Sequence, residues 1–410
     1  MVEKLSSESR VAELIRARVP IIAFLTSEET RASASVYEIA RTLPKPRVTY
    51  EWTITEGLVL IKADPSGKQT RVPKEGHEGP DTVLKFILSN SASEDQGAVF
   101  ILKDMHPFME DPIIRRYLRD ATAKLVSVPK TIVLMSPPHF KVMPDLEKDI
   151  VVIDFELPNE TELRDVLDAF TKIPVVVDRI GKAKIPDEVK QSVVEAGLGL
   201  TILEFRQAIN ISIIRKQTLD PTIVLHEKKT IVRKCGFLEF IEPDIGMNQV
   251  GGLDILKDWA RKRKRSFSKE ARSFGLPTPK GILLVGVPGS GKSLTAKALA
   301  NEWGRPILRF DIASAFGSLV GQSESNFTSA IKTAEAVSPC ILWIDELEKA
   351  LGGAGGDHDG GTSVRVFGLL LTWMSEKTAP VFVFATANDV SKLPPELMRK
   401  GRLTQKSGRP

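Results

Sequence analysis

A chain of 410 residues with 42% apolar and 27% charged side chains has the balance of ordinary globular protein and room for two or three domains, which excludes disorder over most of its length. The formal net charge of +5 is modest for this size and demands no anionic partner. The two cysteines, Cys235 and Cys340, stand in unrelated contexts; no disulfide framework or zinc site is legible, and a reducing, cytoplasmic compartment is the expectation.

The opening stretch MVEKLSSESRVAELIRARVPIIAFL holds an apolar run, PIIAFL, too short for the core of a signal peptide. No stretch approaches the ~20 apolar residues of a membrane-spanning helix. Residues 1–158 alternate apolar runs with helical patterns such as DPIIRRYLRDATAKL. The runs are PIIAFL (20–25), VTYEWTI (48–54), GLVLIKA (57–63), AVFIL (98–102), TIVLM (131–135) and IVVIDF (150–155). This alternation predicts an α/β layered sheet. The turn after the first run reads TSEETRAS; it has no glycine, and Glu28 and Glu29 would repel a phosphate. From Asn159 the period becomes helical. NETELRDVLDAF opens with a cap residue and an acidic first turn, and a small helical subdomain is predicted over 159–216.

Residues 217–280 read as a connector that contains VGGLD (250–254) and a basic run, RKRKR (261–265). As a nucleic-acid patch the run is short and poor in aromatics; as the solvated face of a connecting helix it is ordinary, so nucleic acid is not an expected partner. A second α/β pattern begins at Gly281, with GILLVGV, PILRFD, CILWID and VFVFATA as its apolar runs, and predicts a second sheet domain over 281–410.

Residues 286–293 spell GVPGSGKS. Gly286, Gly289 and Gly291 permit a tight loop whose N–H groups wrap phosphate oxygens, with Val287, Pro288 and Ser290 between them. Lys292 reaches the β- and γ-phosphates and Ser293 offers a hydroxyl to Mg²⁺. The helix that starts here, with Leu294 in its first turn, aims its positive end at the anion. The strand before and the amphipathic helix after set the motif apart from a chance glycine-rich turn. CILWIDELEKA ends a strand in Asp345, placed to hold the Mg²⁺ shell, and Glu346, placed to orient or deprotonate an attacking water. VFVFATAND ends a strand in Thr386-Ala387-Asn388. The Asn388 amide beside the loop can touch the γ-phosphate or the water; read alone, an Asn-Asp pair is a turn.

The ordered motifs VGGLD, GLPTPKGILLVGVPGSGKS, CILWIDELEK, VFVFATAND and LPPELMRKGR, over 250–402, resemble AAA-type P-loop ATPases. The likeness to the conserved reading-frame AAA proteins of cyanobacteria and chloroplasts extends through the N-terminal half. The resemblance implies a hydrolase that binds ATP and Mg²⁺ and works as a homo-oligomeric ring, a hexamer, on a protein partner. It puts Lys292 and Ser293 in Walker A, Asp345 and Glu346 in Walker B, Asn388 at sensor 1, and Gly251 in the segment lining the adenine pocket. Arg399 and Arg402 resemble the arginine fingers that complete the next subunit's site, where a trans arginine is worth ~10³–10⁵ in rate. Where many ring translocases carry an aromatic pore loop, this sequence reads Leu319-Val320-Gly321. The glycine-rich segment 352–363 falls where a second pore-facing loop would be, and its His358 reads as a solvated loop residue.

In the first domain, Asp104 after AVFILK resembles a second acidic strand end. Residues 1–158 therefore read as a degenerate AAA-like module without a P-loop, with 159–216 as its lid; an unrelated α/β domain is the alternative. After Arg402, LTQKSGRP shows no apolar alternation, so the second core is expected to stop before its last strand and lid. Two other functions stay open: a nucleotide-dependent switch or scaffold with little hydrolysis, and a DNA-associated ATPase.

Overall fold

The apolar runs form two sheets in a computed structural model, one in each of two compact units, 1–156 and 157–410. The structure describes residues 6–63, 69–89, 97–138, 140–180, 185–267, 271, 274–275, 279–312, 322–348, 362–389, 391, 393, 396 and 404–407.

The first unit runs α1 (Ser7–Arg16), β1 (Ile21–Leu25), α2 (Glu29–Thr42), β2 (Val48–Thr53), β3 (Gly57–Ala63), β4 (Gln69–Lys74), α3 (Pro80–Leu88), β5 (Ala98–Lys103), α4 (Pro112–Leu125), β6 (Lys130–Ser136) and β7 (Ile150–Asp154). The sheet order is β4-β3-β2-β5-β6-β1-β7. All pairs from β2 to β7 are parallel, and β3 and β4 add an antiparallel edge. Side chains alternate across a strand. Ile21 and Ala23 accordingly join one core with Leu84 and Leu118, while Ile22 and Phe24 join another with Val11 and Val36. Burial on both faces is why the strands read as continuous apolar runs.

The helical region follows as α5 (Glu160–Phe170), α6 (Pro174–Ile180), α7 (Asp187–Gly197), α8 (Ile202–Lys216) and α9 (Pro221–Cys235). Capping boxes start α5 (Asn159 with Glu162) and α8 (Thr201 with Glu204), satisfying N–H groups the helix cannot pair itself. The sequence pattern ends this region at 216 and makes 217–280 a connector. The structure instead fills that stretch with α9, β8 (Leu238–Ile241) and α10 (Asp254–Arg263). Val224 of α9 sits in the helical core and Val232 in the core of the second sheet, so one helix joins the two. Its lysine-rich surface hid that double packing from periodicity.

The second sheet adds β9 (Gly281–Val285), α11 (Lys292–Trp303), β10 (Ile307–Phe310), α12 (Gln322–Val337), β11 (Cys340–Ile344), α13 (Thr362–Glu376), β12 (Val381–Ala387) and β13 (Thr404–Ser407). The order is β13-β9-β12-β11-β10-β8, with β8 antiparallel at one edge. One expectation is corrected here. LTQKSGRP was to supply no strand, yet Thr404–Ser407 pairs in parallel with Ile282–Val285. The ladder is made by main-chain groups and needs no apolar alternation.

Taken in chain order, the five parallel strands of each unit lie in the same spatial order: second, third, fourth, first, fifth. The hydrogen bonds match as well. Thr26 N–H donates to Ser136 O (2.9 Å) as Gly286 N–H donates to Ala387 O (3.2 Å). Ile132 N–H donates to Pro20 O (2.8 Å) as Val383 N–H donates to Lys280 O (3.0 Å). With Leu134 opposite Leu102 and Ala385 opposite Ile344, this register sets Lys103 and Asp104 on the places of Asp345 and Glu346. Asp104 and Glu346 even share a left-handed φ, 51° and 49°. The first unit is therefore a second copy of the same α/β core.

Lys228 of α9 is 2% exposed, and burial pulls its ammonium down to about 8, with the nearby Cys340 thiol opposing the drop. Below pH 8 folded and unfolded chains both carry this proton, and the folded state bears the full desolvation cost. From 8 to the ordinary value of 10.5 the unfolded chain holds a proton that the folded chain has released, so stability rises with pH. Lys377, lowered to about 8 chiefly by burial, shares that window. Lys228→Met is expected to raise the melting temperature at pH 7 by a few degrees and to flatten the rise above pH 8, both read by thermal unfolding across pH. An unchanged or lower melting temperature would contradict the assignment.

Candidate functional site

Strand β9 ends at Val285, and the chain must turn back on itself before α11 begins. Gly289 (φ 82°) and Gly291 (φ 78°) take left-handed conformations that residues with a side chain rarely adopt. The Gly286 N–H anchors the loop to Ala387 O on β12, and Ser290 N–H closes a turn on Val287 O at 3.2 Å. Val287, Pro288, Gly289 and Ser290 are exposed, as is Ser293 in the first turn of α11. The open end of the loop thus carries the unpaired N–H groups of a helix start, a ready anion site. Leu294 packs against the apolar cluster beneath.

Lys292 turns the other way and is 9% exposed. Its ammonium donates to Gly286 O (2.7 Å), Val287 O (2.9 Å) and Asn388 Oδ1 (2.9 Å), three acceptors for three N–H groups. Asn388 continues the chain of contacts. Its Nδ2 donates to Glu346 Oε1 (3.3 Å) and its backbone N–H to Glu348 Oε1 (2.9 Å). Two residues back, on β12, Thr386 is fully buried; its hydroxyl donates to Asp345 Oδ1 (2.5 Å) and accepts the Glu346 N–H (3.0 Å). Lys292, Asp345, Glu346 and Asn388, assigned to one site from separate motifs, therefore meet at the same edge of the sheet.

Two residues of this network carried no assignment from sequence. Thr386 is a hydroxyl in an otherwise apolar strand, VFVFATA, and that break in pattern was its signal. Glu348 is 6% exposed, and its Oε2 is buried with no hydrogen bond among the described residues; nothing in DELEK distinguished it. Gly251 is exposed beside buried Val250, which shares the apolar cluster of Leu284 and Leu299 behind the loop. Arg399, Arg402, Leu319-Val320-Gly321 and His358 lie outside the described residues.

The oxygen donors of Asp345 and Ser293 suit Mg²⁺, which takes one or two protein oxygens and completes its shell with phosphate and water. Among the described residues, no group of three or more His, Cys, Asp or Glu is arranged to hold a metal by itself. The basic run is an ordinary helix end: Arg263 stacks 4.5 Å from the Trp259 ring and Lys262 pairs with Asp258 at 2.7 Å.

The corresponding edge of the first unit has other chemistry. Lys103, on the place of Asp345, pairs with Glu51 (3.1 Å) and Glu29 (3.8 Å), and Arg71 joins Glu51 at 3.0 Å. Burial raises the Glu29 carboxyl, with Lys103 opposing. Carboxylates at the start of α2 are met by internal cations, and no glycine loop is present to wrap an anion.

Comparison with known proteins agrees with this layout. Residues 282–410 match the model of the ATPase family associated with various cellular activities (AAA). Residues 7–155 match the N-terminal domain of SpoVK-like AAA ATPases and 161–235 their second domain. The AAA domain-containing protein ycf46 of Guillardia theta is 38% identical over 397 residues, covering 96% of this chain and 74% of the relative. That of Trieres chinensis is 37% identical, covering 96% and 76%. The nuclear valosin-containing protein-like of Mus musculus is 33% identical over 189 residues, 45% of this chain and 22% of its own.

Gly291→Ala tests the loop. A Cβ at φ 78° costs roughly 1–2 kcal/mol and tilts the helix start away from the anion. Denaturant unfolding is expected to register the loss, and pyrophosphate affinity measured by calorimetry is expected to fall about tenfold. Wild-type values for both would contradict the geometry.

Proposed function

The chain belongs to the AAA ATPase family, and on that premise we propose that it binds ATP with Mg²⁺ and couples hydrolysis in a ring oligomer to the remodelling of a protein partner. The observation that carries this reading is the unbroken hydrogen-bonded run from Lys292 through Asn388 to Glu346. It links the group that would hold the phosphates to the group that would handle water.

In this reading the loop N–H groups and Lys292 bind the triphosphate. Lys292 exchanges loop carbonyls for phosphate oxygens, a trade of neutral acceptors for charged ones. Mg²⁺, when bound by Ser293 and Asp345, supplies neutralisation of the β- and γ-phosphate charge. Glu346 orients the attacking water and takes its proton, while the Asn388 amide holds the carboxylate by one oxygen. Arg399 and Arg402 serve the neighbouring subunit's site, with six subunits in the ring. The basic run, already engaged with its own helix, supports a protein partner over nucleic acid. Cys235 and Cys340 are free thiols, which supports a reducing, cytoplasmic location; no helix among the described residues is long and apolar enough to cross a membrane.

The test is ATP turnover against protein concentration. Turnover per chain is expected to rise as chains assemble. Lys292→Ala is expected to abolish nucleotide binding. Glu346→Gln is expected to keep binding and lose about 100-fold or more in turnover. Turnover per chain that stays flat on dilution, or survives Glu346→Gln, would defeat the reading. Tight binding without turnover in the wild type would favour the switch.

A further inference from the structure

We propose that Thr386 is a positioning residue for the ATPase site: its hydroxyl fixes the carboxylate of Asp345 for Mg²⁺ and ties the Glu346 amide to the neighbouring strand. The inference rests on the ATPase reading above. Four observations carry it. Thr386 is 0% exposed, so its hydroxyl has no water to bond. Its one proton goes to Asp345 Oδ1 at 2.5 Å, and its oxygen accepts the Glu346 N–H at 3.0 Å. A β-branched side chain has restricted χ1 freedom, so little rotamer entropy is lost in making both contacts. Asp345 Oδ2 makes no hydrogen bond among the described residues, which leaves that oxygen as the donor available to a metal.

A further observation is a control built into the same chain. In the first unit, Met135 stands on the place of Thr386, by the register that puts Ser136 on Ala387. The turn there forms without a hydroxyl: Asp104 keeps its left-handed φ of 51°, and its N–H donates to the Met135 carbonyl at 3.1 Å. The fold therefore does not need the hydroxyl to make the turn. What the first unit lacks, along with the hydroxyl, is a carboxylate to hold: Lys103 occupies the place of Asp345. The threonine accompanies the metal-binding acid, and the methionine accompanies its loss.

The experiment compares full-length Thr386→Val, Thr386→Ala and Thr386→Ser with the wild type. Each is titrated with Mg²⁺ at fixed fluorescent ATP analogue, then assayed for ATP turnover. Val and Ala are expected to fold and to bind the nucleotide in EDTA with wild-type affinity. They are expected to need about tenfold or more Mg²⁺ for the half-maximal effect, and to turn over about tenfold or more slowly, the scale of one lost hydrogen bond to a charged group. Ser is expected to stay within about twofold of wild type in both. Wild-type Mg²⁺ dependence in Val and Ala would overturn the proposal. So would Ser as damaged as Val, or failure of both Val and Ala to fold, since the residue would then serve packing. Wild-type protein that binds the nucleotide without turnover would defeat the ATPase reading alone, while the Mg²⁺ titration of binding would still decide the role of Thr386.

Discussion

Parallel pairing of β12 with β9 on one side and β11 on the other is the constraint on which the site depends. It brings Val285 opposite Ala387 and Ile344 opposite Ala385, so the glycine loop, the two acids and the asparagine all emerge at the same ends of the strands. A slip of one residue in either pair would turn Thr386 and its neighbours to the opposite face. What resists the slip is burial on both faces of the sheet: Phe382 and Phe384 pack into one core, and Val381, Val383 and Ala385 into the other. Site geometry is thus set by the apolar packing of the strands that lead into it.

The helical region is bound into the second unit by close contact as well as by α9. A Cβ on Gly199, which has φ 86°, would lie 1.1 Å from the Ala336 carbonyl oxygen. The loop between α7 and α8 therefore seats directly against the end of α12. In the middle of α9, Lys228 is buried at a cost in stability, and the helix tolerates it because Val224 and Val232 anchor it in two cores. These contacts make residues 157–410 one compact unit.

The two α/β units show how little of the frame depends on the chemistry at its edge. They share strand order, register and the left-handed turn after the third strand. At the strand ends they differ in Lys103 against Asp345, Met135 against Thr386, and a three-residue turn of Thr26, Ser27 and Glu28 against a glycine loop. In the first unit the charges satisfy one another internally through Glu29, Glu51, Lys103 and Arg71. In the second, Asp345 and the exposed loop N–H groups leave valence for a ligand. One frame with two outcomes is the expected result when packing specifies a fold and a few groups at its edge specify function.

By itself the sequence determined the fold class, and it placed a glycine loop, two acids and an asparagine at strand ends, because each is written in local spacing: glycines where φ must be positive, acids and amides at the ends of apolar runs. It also shows no glycine in the turn after the first strand. It misjudged β13, since TQKS carries no apolar alternation and edge pairing is a main-chain matter, and it hid α9, whose two apolar contacts serve different cores. Only the tertiary structure decided that Thr386 and Glu348 belong to the site. Their partners, Asp345 and Asn388, lie about 40 residues away along the chain, and it is the register of parallel strands, set by buried side chains on two faces, that brings them within a hydrogen bond.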